Sequence, residues 1–159
     1  MGRLAGKVAL VTGGSRGIGR GIAERLAADG AAVAINYRSG EERARDTLAA
    51  IEGRGGTGAI VAGNVANAGE ATAMVAETVD KLGGLHILVN NAGISADMIT
   101  VRLSEEDWDR VIDTDLKGAF LVTKAALRPL MRQRWGRIIN IASVVAHTGN
   151  VGQANYAAA

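Results

Sequence analysis

The sequence predicts an α/β fold in which helices cover both faces of a parallel β-sheet, an arrangement called doubly wound. Short apolar segments alternate along the chain with longer amphipathic segments, as in a series of strand–helix units. The short segments are apolar at nearly every position, which is typical of strands buried on both faces. Because parallel crossovers are right-handed, we expect the strand order 3-2-1-4-5.

Five strands and the helices between them follow in order along the chain. The strands are predicted at residues 8–11, 32–35, 59–62, 87–89 and 137–141. The intervening helices show apolar residues at spacings of three and four. The first carries Ile18, Ile22 and Leu26, the second covers residues 41–51, and the third covers residues 68–82 and stops at two glycines.

A longer fourth helix is predicted to begin after Ser104, a residue type that caps helix N-termini. Acidic residues fill the following turn, where they interact favourably with the positive end of the helix dipole. The apolar residues of this helix lie on one stripe, which comprises Trp108, Val111, Ile112, Leu116 and Phe120. We expect the stripe to pack against another part of the protein.

Composition narrows the class of protein. The 159 residues suit a single domain, 1–159, with the hydrophobic and charged fractions of an ordinary soluble core. The absence of cysteine excludes a disulfide framework and a Cys nucleophile, and the two histidines have no metal-binding spacing. The longest apolar runs have about five residues, too few for a membrane span, and a net charge of +2 does not indicate nucleic-acid binding. We expect a cytoplasmic protein without a metal site.

A glycine-rich turn joins the first strand to the first helix, and it reads Thr-Gly-Gly-Ser-Arg-Gly-Ile-Gly over residues 12–19. Glycine lets the chain turn sharply and lets the backbone approach a pyrophosphate, while N–H groups at the helix start face the phosphates. No Gly-Lys-Ser/Thr follows, so the turn is not a P-loop. The sequence therefore predicts a Rossmann-type domain whose cofactor contacts include Thr12, Gly13, Ser15, Arg16, Gly17, Ile18 and Gly19.

The end of the second strand indicates which dinucleotide is bound. An acid there would accept from the 2′-hydroxyl of NAD, but residues 36–39 are Asn-Tyr-Arg-Ser. Arg38 and Arg16 can both reach a 2′-phosphate, which favours NADP(H); the alternative is that Arg38 is simply solvated. Asn64 and Val65 follow the third strand and are placed to contact the adenine. The loop after the fourth strand adds Asn91, Ala92 and Gly93 to the predicted cofactor contacts. The alternative is that its Asn-Asn-Ala-Gly run is only a turn.

Taken together, these motifs resemble the short-chain dehydrogenase/reductase family. Residues 12–19 match its Thr-Gly-x-x-x-Gly-x-Gly pattern, and residues 90–93 match its Asn-Asn-Ala-Gly. Ser143, followed thirteen residues later by Tyr156, matches its catalytic pair. Within the family, residues 149–159 resemble the β-ketoacyl-[acyl-carrier-protein] reductases of fatty acid synthesis, although other ketone reductases share much of this pattern.

The resemblance implies NADPH-dependent reduction of a 3-oxoacyl thioester to the 3-hydroxyacyl form. Tyr156 would donate a proton to the forming alkoxide, and Ser143 would hydrogen-bond the carbonyl oxygen, while the cofactor supplies the hydride. The resemblance also implies a homotetramer. Arg128, Arg132 and Arg134 lie close together in the sequence. The resemblance implies that the acidic acyl carrier protein would dock at Arg134, together with Arg128 and Arg132. The alternative for these arginines is a solvated helix end.

Two departures from the family pattern lower the activity that we expect. The lysine of the Tyr-x-x-x-Lys motif, which lowers the tyrosine pKa, would fall after Ala159, the last residue. Asp115 stands where the family has a catalytic asparagine, on the apolar stripe of the fourth helix. The family's last helices and two strands also have no counterpart, so we expect an exposed fifth strand and marginal stability. We therefore expect cofactor binding with little turnover. The alternatives are a non-catalytic dinucleotide-binding fragment or interaction module, and a short-chain ketone reductase of another substrate class.

Overall fold

The computed structural model describes residues 2–159, whose strands form one parallel sheet. In chain order these strands are β1 (Val8–Val11), β2 (Ala32–Tyr37), β3 (Thr57–Ala62), β4 (Ile87–Asn90) and β5 (Arg137–Asn140). Across the sheet they follow the order 3-2-1-4-5, so the predicted doubly wound fold is confirmed. β2 and β3 are each two residues longer than predicted, because their backbones stay paired from Ala32–Thr57 to Tyr37–Ala62. β4 gains Asn90, and β5 ends one residue early.

Helices on the two faces of the sheet connect these strands. They are α1 (Gly17–Ala28), α2 (Glu41–Glu52), α3 (Ala68–Leu82), α4 (Glu105–Val111), α5 (Gly118–Arg132), α6 (Val145–Thr148) and α7 (Ala154–Ala158). The predicted N-cap is confirmed, since the Ser104 hydroxyl accepts a hydrogen bond from the backbone N–H of Asp107 at 3.1 Å. Within residues 2–159, no helix has both the length and the apolar character that spanning a membrane requires.

The predicted fourth helix is not continuous, which corrects the expected apolar stripe. A π-helical turn, Ile112–Lys117, separates α4 from α5. A π turn holds one residue more than an α turn and so offsets the flanking helix faces by about 100°. Val111, before the turn, is fully buried, whereas Leu116 in the turn and Phe120 after it are 50% and 60% exposed. Trp108, in α4 itself, is 38% exposed.

Each central strand contributes to two hydrophobic cores, one on each face of the sheet. On β1, Leu10 packs with residues of α3 and α5, while Ala9 and Val11 pack with residues of α1 and α2. The prediction that these strands are buried on both faces is correct. It does not hold for the two edge strands: β3 is only partly buried, and Ile138 and Ile139 of β5 are 38% and 44% exposed. The expected exposure of the fifth strand is thereby confirmed.

Candidate cofactor cleft and catalytic residues

The glycine-rich turn and the loop after β4 are joined at the carboxyl edge of the sheet. Thr12 Oγ1 accepts hydrogen bonds from the backbone N–H groups of Asn91 (2.9 Å) and Ala92 (3.0 Å). In return, Asn91 Nδ2 donates to the carbonyl oxygens of Thr12 (2.9 Å) and Gly13 (3.2 Å). β1 and β4 are neighbours at the point where the strand order reverses, which is where ligands bind in open α/β sheets.

These loops line an open cleft with a volume of about 480 Å³. All but one of the predicted cofactor residues border it: Gly13, Ser15, Arg16, Gly17, Ile18, Gly19, Arg38, Asn64, Val65, Asn91, Ala92 and Gly93. Thr12 is the exception, since it is buried beneath the cleft and fastens its two walls together. The volume lies within the usual range for a small-molecule or cofactor site.

Two glycines of the turn are required by its geometry. Gly13 has φ +61°, a left-handed conformation that other residues adopt only with strain. A Cβ on Gly19 would overlap the carbonyl oxygen of Gly13, so the start of α1 could not approach the turn as closely. The first backbone N–H groups of α1 have no helical partner, and they therefore remain available to an anion in the cleft.

Asn36 holds the floor of the cleft, a role that sequence reasoning missed. Its Oδ1 accepts from the backbone N–H of Gly13 (3.2 Å), and its Nδ2 donates to the carbonyl oxygens of Gly63 (3.0 Å) and Val61 (3.3 Å). Its only signal in the sequence is an amide side chain at the end of an apolar strand, which by itself indicates no more than the absence of an acid there. Other cleft residues missed in the sequence are Tyr37, Ser39, Arg43, Gly63, Ile94 and Thr114.

The charge of the cleft is positive at the end of β2. Arg16, Arg38 and Arg43 line it, and none of its lining residues is acidic. Glu41, the nearest acid in sequence, is instead bound to Arg45 Nε at 2.9 Å. The Arg45 guanidinium, followed by a hydrogen bond from the Tyr37 hydroxyl, holds the pKa of Glu41 below its ordinary value. The free arginines can therefore attract an anion without competition from a carboxylate in the cleft.

The predicted catalytic pair, Ser143 and Tyr156, is not among the residues that line the cleft. Ser143 precedes α6, and its Oγ accepts from the backbone N–H of Val145 at 3.2 Å. Tyr156 lies on α7, which packs against α6. Ser143 follows β5, and since β5 is parallel to β4 it lies at the carboxyl edge of the sheet. Asn140 Oδ1 accepts a hydrogen bond from Asn90 Nδ2 at 2.8 Å, which joins the ends of β5 and β4.

Asn155 attaches α7 to the loop after β4, and the sequence analysis did not identify it. The side chain is fully buried, and its Nδ2 donates to the carbonyl oxygen of Ala96 at 3.1 Å. Two residues before α7 begins, the Gly152 carbonyl oxygen accepts a hydrogen bond from the backbone N–H of Met98 at 2.8 Å. These contacts fix Tyr156 relative to the loop that forms one wall of the cleft.

Asp115 lies in the π-helical turn and not on a buried apolar stripe, which corrects its predicted surroundings. Its Oδ1 accepts from the backbone N–H of Ile94 at 2.9 Å, and a Cβ on Gly93 would lie 3.1 Å from its Oδ2. Burial raises the pKa of Asp115, and the hydrogen bond from Ile94 offsets part of that rise. The carboxylate therefore borders the loop that carries Asn91, Ala92 and Gly93.

Comparison with known proteins identifies the family. A model described as short chain dehydrogenase matches residues 7–159. The chain belongs to the short-chain dehydrogenase family. The resemblance to this family that was drawn from the sequence is thus confirmed.

Several curated short-chain dehydrogenases are similar to this chain. It is 49% identical over 152 residues to the 3-oxoacyl-[acyl-carrier-protein] reductase FabG of Staphylococcus aureus, covering 96% of this chain and 62% of that protein. It is 48% identical over 155 residues to FabG of Aquifex aeolicus, with coverages of 97% and 62%. The chain therefore spans about three fifths of the length of these relatives.

A solved structure of the family confirms the fold. It comes from Sinorhizobium meliloti, and its description assigns it provisionally to the short-chain alcohol dehydrogenases. The two structures superpose with a TM-score of 0.94 at 38% sequence identity, over 98% of this chain and 61% of the other. The fold of this short-chain dehydrogenase is therefore shared with a solved structure of a similar protein.

The arginine cluster of this short-chain dehydrogenase lies far from the cleft. Arg128 and Arg132 are near the C-terminal end of α5, and Arg134 precedes β5. Because β5 is parallel to β4, the residues before it lie at the amino edge of the sheet, opposite the cleft. Arg134 also borders an open groove with Trp135.

Proposed function

We propose that this protein binds NADPH in the cleft and acts on 3-oxoacyl thioesters of acyl carrier protein, forming the 3-hydroxyacyl product. The observation that carries the cofactor choice is the cleft lining, which contains three arginines and no acid. NADPH differs from NADH by a phosphate, which guanidinium groups bind through charge-assisted hydrogen bonds. The substrate class is supported by the 49% identity to the Staphylococcus aureus reductase.

The residues present fit the cofactor in separate parts of the cleft. The N–H groups at the start of α1 would hold the pyrophosphate, while Arg16 and Arg38 would bind the 2′-phosphate. Asn64 and Val65 would contact the adenine. The wall formed by Asn91, Ala92 and Gly93 borders the same cleft and would bound the nicotinamide half.

Ser143 and Tyr156 would act on the substrate carbonyl. NADPH supplies a hydride to the carbonyl carbon when it is bound. The Ser143 oxygen accepts a hydrogen bond from Val145, so its own O–H is free to donate to the carbonyl oxygen. Tyr156 would then donate a proton to the alkoxide oxygen as negative charge develops there.

A second candidate is a non-catalytic dinucleotide-binding module, and Asp115 favours it. The carboxylate adjoins Gly93 and Ile94 at the cleft wall. A negative charge there opposes formation of a tyrosinate and also the alkoxide of a reduction intermediate. A reductase of another ketone class is a third candidate, since the cofactor cleft does not depend on the substrate.

Docking of acyl carrier protein is proposed at Arg134, together with Arg128 and Arg132. The proposal rests on charge complementarity between these arginines and an acidic partner. Their place at the amino edge means that a carrier bound there is separated from the cleft of the same chain by the sheet. Assembly into a homotetramer, as is typical of the family, is proposed with it.

Fluorescence titration with NADPH and NADH, followed by addition of acetoacetyl thioester, tests these candidates. Selective binding of NADPH with its oxidation on adding the thioester is expected of a reductase. Selective binding without oxidation, tested also with small ketones, would support the non-catalytic module instead. Equal affinity for the two cofactors would contradict the role given to the arginines.

A further inference from the structure

We propose that Arg43 is a third guanidinium that binds the 2′-phosphate of NADPH, beside Arg16 and Arg38; this inference rests on the proposed function. Arg43 lies in the first turn of α2, beyond the strand end where the sequence analysis looked for such a residue. Its side chain is exposed and lines the same cleft as the other two arginines.

The docking of α2 turns the Arg43 face of the helix towards the glycine-rich turn. Thr47 lies four residues further along and is fully buried. Its hydroxyl is within hydrogen-bond distance of the Ser15 carbonyl oxygen at 3.2 Å and of the Arg43 carbonyl oxygen at 3.1 Å. Residues four apart share a helix face, so the contact at Thr47 fixes where Arg43 projects.

The other charges on α2 leave Arg43 free. Arg45 is bound to Glu41 at 2.9 Å, whereas Arg43 forms no ion pair within residues 2–159. The remaining acids of the helix, Glu42, Asp46 and Glu52, do not line the cleft. α2 therefore carries one arginine whose charge is neutralised by an acid and one whose charge faces the cleft.

A phosphate with two negative charges is the ligand that this arrangement suits. Three guanidinium groups supply more N–H donors than a ribose hydroxyl can use, and a charge-assisted bond to phosphate is about twice as strong as a neutral one. Arg43 should consequently contribute to the affinity for NADPH and not to that for NADH. It acts as a specificity-determining residue, and Thr47 positions it.

Arg43→Ala and Arg45→Ala form a matched pair for the test, because they remove equal charge from the same helix two residues apart. We expect Arg43→Ala to weaken NADPH binding about 5–20-fold and to change NADH binding less than twofold. The effect is limited because solvent weakens a single exposed guanidinium–phosphate contact. Arg45→Ala should change both affinities less than twofold. Arg43→Lys, which keeps the charge and loses the planar fork, should lie between wild type and Arg43→Ala.

Competition by adenosine 2′,5′-bisphosphate and by AMP isolates the phosphate from the nicotinamide end. The bisphosphate should lose affinity for Arg43→Ala, and AMP should not. Unchanged NADPH affinity in Arg43→Ala, or equal losses in Arg43→Ala and Arg45→Ala, would overturn the role of Arg43. If Arg43→Ala left NADPH binding unchanged while Arg38→Ala abolished selectivity for NADPH, only the role of Arg43 would be refuted and the proposed function would survive. Wild-type protein without selectivity for NADPH would refute both the role of Arg43 and the proposed function.

Discussion

Asp115 Oδ1 accepts a hydrogen bond from the backbone N–H of Ile94 at 2.9 Å, which joins the π-helical turn to the loop after β4. The same carboxyl group adjoins Gly93, a residue of the cleft wall. An amide oxygen can accept this hydrogen bond equally well, so the contact itself does not require a charge. The charge at position 115 is therefore separable from the structural role of the side chain.

Asp115→Asn should stabilise the protein at neutral pH. Burial raises the pKa of Asp115 above its ordinary value of 3.8. The stability that the protonated carboxyl group contributes is therefore fully present below pH 3.8 and is lost as pH rises through the folded-state pKa. At pH 7 we expect the variant to melt about 1–4 °C higher, a modest effect because the group is partly exposed. The gain should vanish below about pH 4.

Asp113→Asn is the control for this prediction, since it removes a carboxylate two residues away that is paired with Lys117 on the surface. Its melting temperature should change by less than about 1 °C. A lower melting temperature of Asp115→Asn at pH 7 would show that the carboxylate is favourable where it lies.

Acid should loosen the amino edge of the sheet through His86. Its Nδ1 accepts from the backbone N–H of Val8 at 3.1 Å, which only an unprotonated nitrogen can do. Burial, and then the charge of Lys7, lowers the pKa of His86 below 6.5. The stability contributed by the neutral ring is therefore present above pH 6.5 and is lost as pH falls through the folded-state pKa.

We expect the melting temperature to drop by about 1–3 °C between pH 7 and pH 5 on account of His86. His86→Gln keeps an acceptor without titrating in this range and should flatten that part of the profile. His147→Gln, at an exposed histidine, should leave it unchanged. Parallel profiles for wild type and His86→Gln would count against this account.

Asn36→Ala should destabilise the floor of the cleft by about 2–4 kcal/mol, because it leaves a partly buried N–H and two carbonyl oxygens without their partner. The expected loss of melting temperature is roughly 4–16 °C. Cofactor affinity should fall as well, since Gly13 is no longer held in place. Ser39→Ala, which removes an exposed hydroxyl from the same cleft, should have little effect on stability. Equal stability of the two variants would contradict the role of Asn36.

Asn155→Ala should release α7 from the loop after β4. Loss of the buried hydrogen bond to Ala96 removes about 1–3 kcal/mol of local stability, which corresponds to hydrogen exchange faster by about tenfold or more. The amides of Met98 and Ala157 report the change directly, because both are hydrogen-bonded in this region. Asn150→Ala, which removes only an exposed bond to Gln153, should leave their exchange rates nearly unchanged. Unaltered exchange in Asn155→Ala would refute the attachment.

The sequence alone determined the strand order and the glycine-rich turn. Apolar runs and helical spacing are local properties, and right-handed crossovers convert them into the order 3-2-1-4-5. A turn that needs φ +61° at Gly13 is likewise visible as glycine in the chain. Because parallel strands end at one edge, residues after different strands could be assigned to one cleft before any distance was known.

Tertiary structure alone decided which polar side chains hold that cleft together. Asn36, Arg43 and Asn155 have their roles through contacts with segments far away in sequence, and residue type does not reveal such partners. The π-helical turn was also hidden, since a single inserted residue leaves no local pattern in the sequence. Local conformational preference thus fixed the framework, while packing between distant elements fixed the placement of its charged and polar groups.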